Sequence, residues 1–135
     1  MWAFYAALSA FFAALTSVLG KIGVENVNSH LAVALRTLAV LGMAWALAWI
    51  SGARLAAVSR RSLLFLLLSG ITAGLSWLCY YRALQLGEAS KVMPVDKLSL
   101  VIGIILAYAV LKEPVTPKTI IGAGLITIGT FVLIR

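Results

Sequence analysis

The chain has 135 residues, of which 63% are hydrophobic and only 11% are charged. A soluble domain usually carries about 25% charged residues, so this composition excludes an ordinary globular domain and favours a membrane protein. The net charge of +7 does not indicate nucleic-acid binding, because the basic residues lie at the ends of apolar runs, where anionic lipid headgroups favour them. Cys79 is the single cysteine, so the sequence predicts no disulfide framework, no metal site and no bound cofactor.

The first three apolar runs predict three transmembrane helices, each near the roughly 20 residues that a bilayer requires. The first helix is predicted over residues 2–20 and the second over 31–51. The polar loop between them offers Asn28 or Ser29 as a helix N-cap. A basic loop from Arg54 to Arg61 leads to the third helix, predicted over 62–84.

The fourth helix must begin before its uncharged part. Leu98 to Leu111 would rise only ~21 Å, whereas the hydrocarbon core is ~30 Å thick. We therefore predict the helix over residues 91–111, which places Asp96 and Lys97 below the membrane surface. Pro94 precedes them and is expected to loosen or start the helix, because proline donates no backbone hydrogen bond.

The fifth helix is predicted over residues 117–134. Thr116 and Pro117 form a good pair of N-cap and first helical residue. The sequence therefore predicts an all-α membrane protein in which residues 1–135 form a single domain of five transmembrane helices.

Five spans place the first and third loops on the same side of the membrane. Arg36, Arg82, Asp96 and Lys97 all fall toward that side. A charged side chain in hydrocarbon costs about 2.5–3.5 kcal/mol and usually faces a protein interior or a wet cavity. The topology thus predicts one polar vestibule, which is the default place for a transport pathway.

The orientation of the chain is tested by the positive-inside rule, which counts lysine and arginine residues that flank the spans. The second and fourth loops carry Arg54, Arg60, Arg61, Lys112 and Lys118. The opposite side carries Lys21, Arg82, Lys91, Lys97 and Arg135. The two sides tie. Either the chain inserts in both orientations, or Arg82 and Lys97 are buried functional residues that should not be counted, in which case the amino end is cytoplasmic.

Several stretches share the pattern of a known transporter unit: residues 81–90, 94–99 and 111–116, together with Ile121, Gly122, Gly129 and Arg36. This pattern resembles the EamA unit of the drug/metabolite transporter superfamily over essentially the whole chain. The motifs are specific for the fold and much less so for the substrate.

The resemblance implies a fold of five spans, but most similar proteins carry two such units in tandem as inverted repeats. This chain has one unit. The family architecture would therefore need two chains, and inversion requires them to be antiparallel. The tied count of basic residues is what such a dual-topology homodimer would need, and inverted halves around a midplane site are general in secondary transporters.

Asp96 is the one acidic residue predicted within a span. It is either a site for a cation, a proton or a substrate amine, or a first-turn acid below Pro94 that the helix dipole favours. Asp96 and Ser99 begin a small polar stripe at helical spacing, which either lines a path or lets another helix approach closely.

Two basic residues have competing interpretations. Lys97 is expected to meet another helix or a ligand, because adjacent residues do not share a helix face and an Asp96–Lys97 pair within one helix is poor. Arg36 is either a substrate anchor or a structural tie to backbone carbonyls and Asp96.

Aromatic residues in the third helix offer a candidate binding wall. Trp77 and Tyr81 lie four residues apart on one helix face and are predicted to hold a cationic or flat substrate. The alternative is an aromatic belt at the membrane interface, which suits Tyr80 and Tyr81 better than the deeper Trp77. The wall favours a cation while the positive charges favour an anion, and the sequence leaves this conflict open.

These features together predict a small secondary transporter of metabolites or toxic compounds that works as an antiparallel homodimer by alternating access. Its expected partners are a second copy, lipid and a small-molecule substrate, and its expected location is a bacterial or archaeal cytoplasmic membrane. No catalytic constellation is visible, so an enzyme is not expected. The alternative is a non-catalytic subunit of a hetero-oligomeric flippase or an assembly factor.

Overall fold

The computed structural model describes residues 1–54 and 58–135 of the chain. It is 84% helical, with no strand in these ranges. Six α-helices follow one another: α1 Trp2–Gly23, α2 Ser29–Ile50, α3 Arg60–Leu86, α4 Ala89–Asp96, α5 Leu98–Leu106 and α6 Pro117–Ile134. A π-helical turn, Ala107–Leu111, continues α5.

Five helical segments are long and apolar enough to cross a membrane, which confirms the predicted fold class. They are α1, α2, α3, the continuous stretch Ala89–Leu111 and α6. The helices run a few residues beyond the predicted bounds at several ends. Part of the predicted basic loop, residues 55–57, lies outside the described residues.

Two helix starts follow from local chemistry. The side chain of Asn28 accepts a hydrogen bond from the His30 amide at 2.9 Å, and so caps α2. The side chain of Thr116 accepts one from the Thr119 amide at 3.3 Å, and Pro117 opens α6. Both predicted caps are confirmed.

The fourth span, Ala89–Leu111, is interrupted for one residue, Lys97, where the charged residues lie; this interruption is called the break. Pro94 lies inside α4, Asp96 is its last residue, and Lys97 forms the turn before α5. Because Pro94 has no N–H, it cannot donate to the carbonyl four residues earlier, and the helix is weakened there. The expectation that Pro94 loosens the helix is confirmed, whereas the interpretation of Asp96 as a first-turn acid is wrong, because Asp96 ends a helix that starts at Ala89.

The described chain divides into two compact units. Unit 1 comprises residues 1–17 and 86–135, and unit 2 comprises residues 18–85. In unit 1, α6 packs against α4 and α5, and the buried Thr130 donates a hydrogen bond to the Pro94 carbonyl at 3.2 Å. The prediction of a single domain is not tested by this division and stays a prediction.

Unit 2 holds the buried apolar residues of the described chain: Val24, Val33, Tyr81 and Leu84. Most other large apolar side chains are exposed, including Phe11 at 64% and Ile105 at 61%. Exposed apolar surface on this scale suits contact with lipid or with other membrane helices rather than with water.

The small core of unit 2 yields a stability prediction. Leu84 is 0% exposed, so the Leu84→Ala substitution leaves a cavity and should lower the free energy of unfolding by about 2 kcal/mol, near the low end for such changes. The low end is expected because an apolar side chain in a membrane is surrounded by lipid rather than water when it is not packed. The substitution therefore loses mainly packing contacts and little hydrophobic free energy. Titration with sodium dodecyl sulfate, followed by circular dichroism, measures the change.

Leu75 is the matched control, since it lies in the same helix and is 58% exposed. Leu75→Ala should change the unfolding midpoint little. Equal effects of the two substitutions would contradict the assignment of Leu84 to the core.

Candidate functional site

The side chain of Arg36 lies over two aromatic rings in unit 2. Its guanidinium carbon is 4.0 Å from the ring centroid of Trp77 and 5.7 Å from that of Tyr81. Arg36 comes from α2, about two turns beyond its start at Ser29. Trp77 and Tyr81 are one turn apart on α3 and so share a face. These three residues are named the Arg36 cluster.

Tyr81 is part of the protein interior. Its side chain is only 5% exposed, and a Cβ atom added to Gly20 would lie 3.2 Å from the Tyr81 hydroxyl oxygen. The absence of a side chain at Gly20 therefore lets α1 approach α3 closely at this point. The interpretation of Tyr81 as a member of an interfacial aromatic belt is wrong, because that would require an exposed ring.

Polar contacts join the end of α1 to the end of α3. The Lys21 ammonium donates a hydrogen bond to the Leu84 carbonyl. The Gln85 amide donates to the carbonyls of Val24 and Val27, at 3.0 and 2.6 Å. These carbonyls lie at or beyond the end of α1, where no helical amide is available to them.

Arg82 supports the same end of α3. It donates to the side-chain oxygen of Gln85 at 3.2 Å, which orients the amide so that its N–H groups point toward α1. Arg82 is itself exposed. Sequence reasoning did not single out Gln85 or Gly20, although a glutamine in the last turn of an apolar span is a signal for this kind of contact.

The two aromatic rings offset only part of the free energy that is needed to place the charge of Arg36 in the membrane. A charge in hydrocarbon costs about 2.5–3.5 kcal/mol, and a partly desolvated cation–π contact returns about 0.5–2 kcal/mol. The described ion pairs join Lys91 to Glu88 and Lys97 to Asp96, and none of them gives Arg36 a carboxylate partner within unit 2. The expected tie to Asp96, which lies in unit 1, stays a prediction.

Asp96 and Lys97 form an ion pair, with 3.6 Å between the carboxylate oxygen and the ammonium nitrogen. An ion pair between these adjacent residues was expected to be poor, and the observed one is loose and partly exposed. Lys97 adopts φ −69° and ψ −12° between α4 and α5. The side chains are 38% and 54% exposed, so the pair is accessible.

The break lies within the predicted polar stripe. Ser99 lies in the first turn of α5 and is exposed. Lys97 lies between Asp96 and Ser99 and keeps right-handed helical dihedral angles, and the shared face of Asp96 and Ser99 stays a prediction.

The predicted site residues thus fall into two groups. Arg36, Trp77 and Tyr81 meet in unit 2, where Arg82 also lies. Residues 96, 97 and 99 lie in unit 1. The single vestibule that would join the two groups stays a prediction.

Comparison with known proteins decides the class of this membrane unit. The model of the EamA-like transporter family matches residues 1–135. The chain belongs to the EamA-like transporter family. It is similar to a Sinorhizobium sp. protein described as "Uncharacterized transporter in cobO 3'region", with 41% identity over 134 residues that cover 98% of this chain and 95% of that protein. No solved structure matches the chain.

Membership of the EamA-like family, together with the five apolar helices, makes the chain an integral membrane protein of transporter type. The members of this family are transporters rather than enzymes, which fits the expectation that the chain is not an enzyme. Within the described residues, no group of three or more His, Cys, Asp or Glu side chains could hold a metal ion.

The break in the fourth span yields a second prediction. The Thr130 hydroxyl lies 3.2 Å from the Pro94 carbonyl and 2.9 Å from the Ile126 carbonyl of its own helix, so its one proton is shared between the two acceptors. Thr130→Val removes the hydroxyl at nearly constant volume and should lower stability by about 1 kcal/mol. It should also speed amide hydrogen exchange at Lys97, measured by mass spectrometry.

Thr127 provides the control for this substitution. Its hydroxyl donates to the Ala123 carbonyl at 2.9 Å, within α6, and such a bond adds little to stability. Thr127→Val should therefore leave both measurements near those of the wild type. If both variants behave alike, the contact between Thr130 and Pro94 does not support the break.

Proposed function

We propose that the protein is a secondary transporter of metabolites or toxic small molecules, which works as an antiparallel homodimer by alternating access. The observation that supports this most directly is the broken fourth span with Asp96 at the break. Membership of a transporter family supports the general class.

The position of the break suits a transport site. Asp96 is the eighth residue of the span Ala89–Leu111, so it lies about 10 Å along a helix that rises 1.5 Å per residue. Interrupted helices of secondary transporters expose backbone carbonyls and helix ends inside the membrane, and these groups bind substrates and coupling ions. Irregular backbone at this depth is tolerated where it lines a cavity or is buried in protein.

Asp96 is the proposed coupling or substrate-contact acid. In the structure it is paired with Lys97, and an exposed pair of this kind contributes only about 0–1 kcal/mol. A proton, a cation or a substrate amine can therefore replace Lys97 at the carboxylate at little cost. Lys97 is then released, so occupation of Asp96 changes the local charge at the break.

The proposal of an antiparallel dimer has three supports. One match to the EamA-like family model covers residues 1–135, and the alignment to the Sinorhizobium relative covers 95% of that protein. Extensive apolar surface is exposed on the described helices. The basic residues that flank the spans divide evenly between the two sides, which gives the positive-inside rule no preference.

The proposed location is the cytoplasmic membrane of a bacterium or archaeon. The proposed partners are a second copy of the chain, membrane lipid and the transported molecule. The Sinorhizobium relative places a similar protein in a bacterium.

The role of Asp96 is tested by transport in proteoliposomes. Wild-type protein is reconstituted into liposomes loaded with a bacterial metabolite extract, and released compounds are measured by mass spectrometry under an imposed proton gradient. The wild type should release specific compounds. Asp96→Asn, which cannot ionise, should reduce their release to the level of protein-free liposomes.

Glu113→Gln is the matched control, since Glu113 lies in the turn before α6 and is exposed. It makes the same change from carboxylate to amide and should transport like the wild type. Undiminished transport by Asp96→Asn would remove this carboxylate from the mechanism.

The dual orientation is tested by labelling in whole cells. Cys79 is first replaced by alanine, and a new cysteine is introduced at Asn26 or at Ser59, in loops on opposite sides of the membrane. Each cysteine should react with an impermeant maleimide in about half of the molecules, because the rule that sets orientation is balanced.

Charge-shifted variants connect orientation to activity. Arg60→Gln with Arg61→Gln should bias the chain one way, and Lys91→Gln with Arg135→Gln the other way. Each pair of substitutions alone should lose transport, and coexpression of the two should restore it. A single orientation in the wild type, together with a second protein that copurifies in fixed ratio, would favour the hetero-oligomeric alternative instead.

A further inference from the structure

We infer that the Arg36 cluster is a binding site for the oxyanion of a small organic substrate, a carboxylate or a phosphate, with Arg36 as the anchor. This assignment rests on the proposed transport function and names the chemical class of the transported molecule. It goes beyond the family match, which indicates a transporter and no substrate.

The charge balance of unit 2 points to an anion. Between residues 18 and 85 the sequence has six basic residues and one acidic residue, Glu25. Glu25 is exposed in the turn after α1. Lys21 and Arg82 donate to protein oxygens at the end of α3, whereas the described contacts of Arg36 are with aromatic rings. Among the three basic residues nearest the end of α3, Lys21, Arg36 and Arg82, Arg36 is thus the one whose described contacts are with rings rather than with protein oxygens.

Partial exposure leaves hydrogen-bonding groups of the Arg36 guanidinium available to a ligand. The guanidinium carbon lies 4.0 Å over the centroid of the Trp77 ring, so the indole covers one side of the group. The five N–H donors of a guanidinium lie in its plane and form a fork that matches carboxylate and phosphate oxygens. Arg36 is only half-buried, so a ligand can reach these donors while the stacking is retained.

The same geometry favours an anionic over a cationic substrate, a choice that the sequence left open. Aromatic faces bind cations, but here the face of Trp77 already holds the guanidinium of Arg36. A cationic substrate that used this face would have to displace Arg36, and it would then lie beside a second positive charge. An anion meets no such penalty, and its apolar body can rest against the half-buried Trp77.

A lipid phosphate is the competing source of an oxyanion. Arginine near a helix end commonly extends to the headgroups. Arg36 is seven residues beyond Ser29, about 10 Å along the helix, and its guanidinium is held on Trp77 rather than extended toward the helix end. A small molecule that enters the protein is therefore the preferred ligand.

Trp77 provides a direct probe of binding. Substitution of Trp2, Trp45 and Trp49 by phenylalanine leaves Trp77 as the single tryptophan of the chain. The full-length protein is purified in dodecyl maltoside free of phospholipid, and Trp77 fluorescence is titrated with cyclohexanecarboxylate. Cyclohexylmethylammonium, of similar shape and opposite charge, is the matched ligand control. Neither probe absorbs where tryptophan is excited.

The carboxylate should produce a saturable change in Trp77 fluorescence, and the ammonium compound should not. Arg36→Gln should weaken carboxylate binding at least tenfold. Arg36→Lys should weaken it several-fold, because the charge is kept while the planar fork is lost. Arg61→Gln should bind like the parent protein, since Arg61 is a second arginine near an aromatic ring, 5.9 Å from the centroid of Phe65, at the opposite end of α3.

Three results would overturn the assignment: no saturable response to the carboxylate, an equal response to the ammonium compound, or unchanged binding in folded Arg36→Gln and Arg36→Lys. A response to short-chain phosphatidylglycerol with none to the carboxylate would assign Arg36 to lipid and also overturn it. The measurement needs neither vesicles nor Asp96. If the carboxylate does not bind but Asp96-dependent transport is intact, the anion site is wrong and the proposed transport function stands. If the carboxylate binds but the protein does not transport, the anion site stands and the proposed transport function is wrong.

Discussion

The structure depends on one constraint: the hydrocarbon core offers no water to satisfy a backbone carbonyl or a charge. Two places where the chain departs from a continuous apolar helix carry their own compensation. At the end of α1, Gln85 donates to the carbonyls of Val24 and Val27. At the break in the fourth span, the Pro94 carbonyl accepts from the Lys97 amide at 3.1 Å and from the Thr130 hydroxyl. The bonds from Gln85 and Thr130 come from residues that are distant in sequence, and they hold the irregular segments in place.

The parts of the fold that depend on local chemistry were predictable from the sequence. Hydropathy and length predict the five spans, and Asn28 and Thr116 cap their helices because a short side chain can reach the first free amides. Pro94 predicted a weakened fourth helix. The position of the break at Lys97 was not predictable, since it depends on packing against α6 and on the bond from Thr130, which no local pattern shows.

The candidate site was predicted in part for the same reason. The spacing of Trp77 and Tyr81 follows from the helical repeat, so a shared face could be inferred. That Arg36 occupies this face depends on how α2 meets α3, and the burial of Tyr81 depends on the missing side chain of Gly20 on α1. The sequence showed an aromatic wall and a buried cation as separate features with conflicting implications. Their contact bears on the choice between a cationic and an anionic substrate, because the aromatic face that would bind a cation is already occupied by the guanidinium of Arg36.

The two units treat their charges in ways that suit different roles. The pair of Asp96 and Lys97 is exposed and therefore weak, so its partners can be exchanged within a transport cycle. Arg36 cannot lose its charge under any physiological condition, and its face is fixed on Trp77, so it suits a permanent anchor whose ligand changes while the residue does not. A carrier needs both kinds of group, since an anchor alone gives binding without coupling, and an exchangeable acid alone gives coupling without selectivity. One half of this short chain supplies each kind.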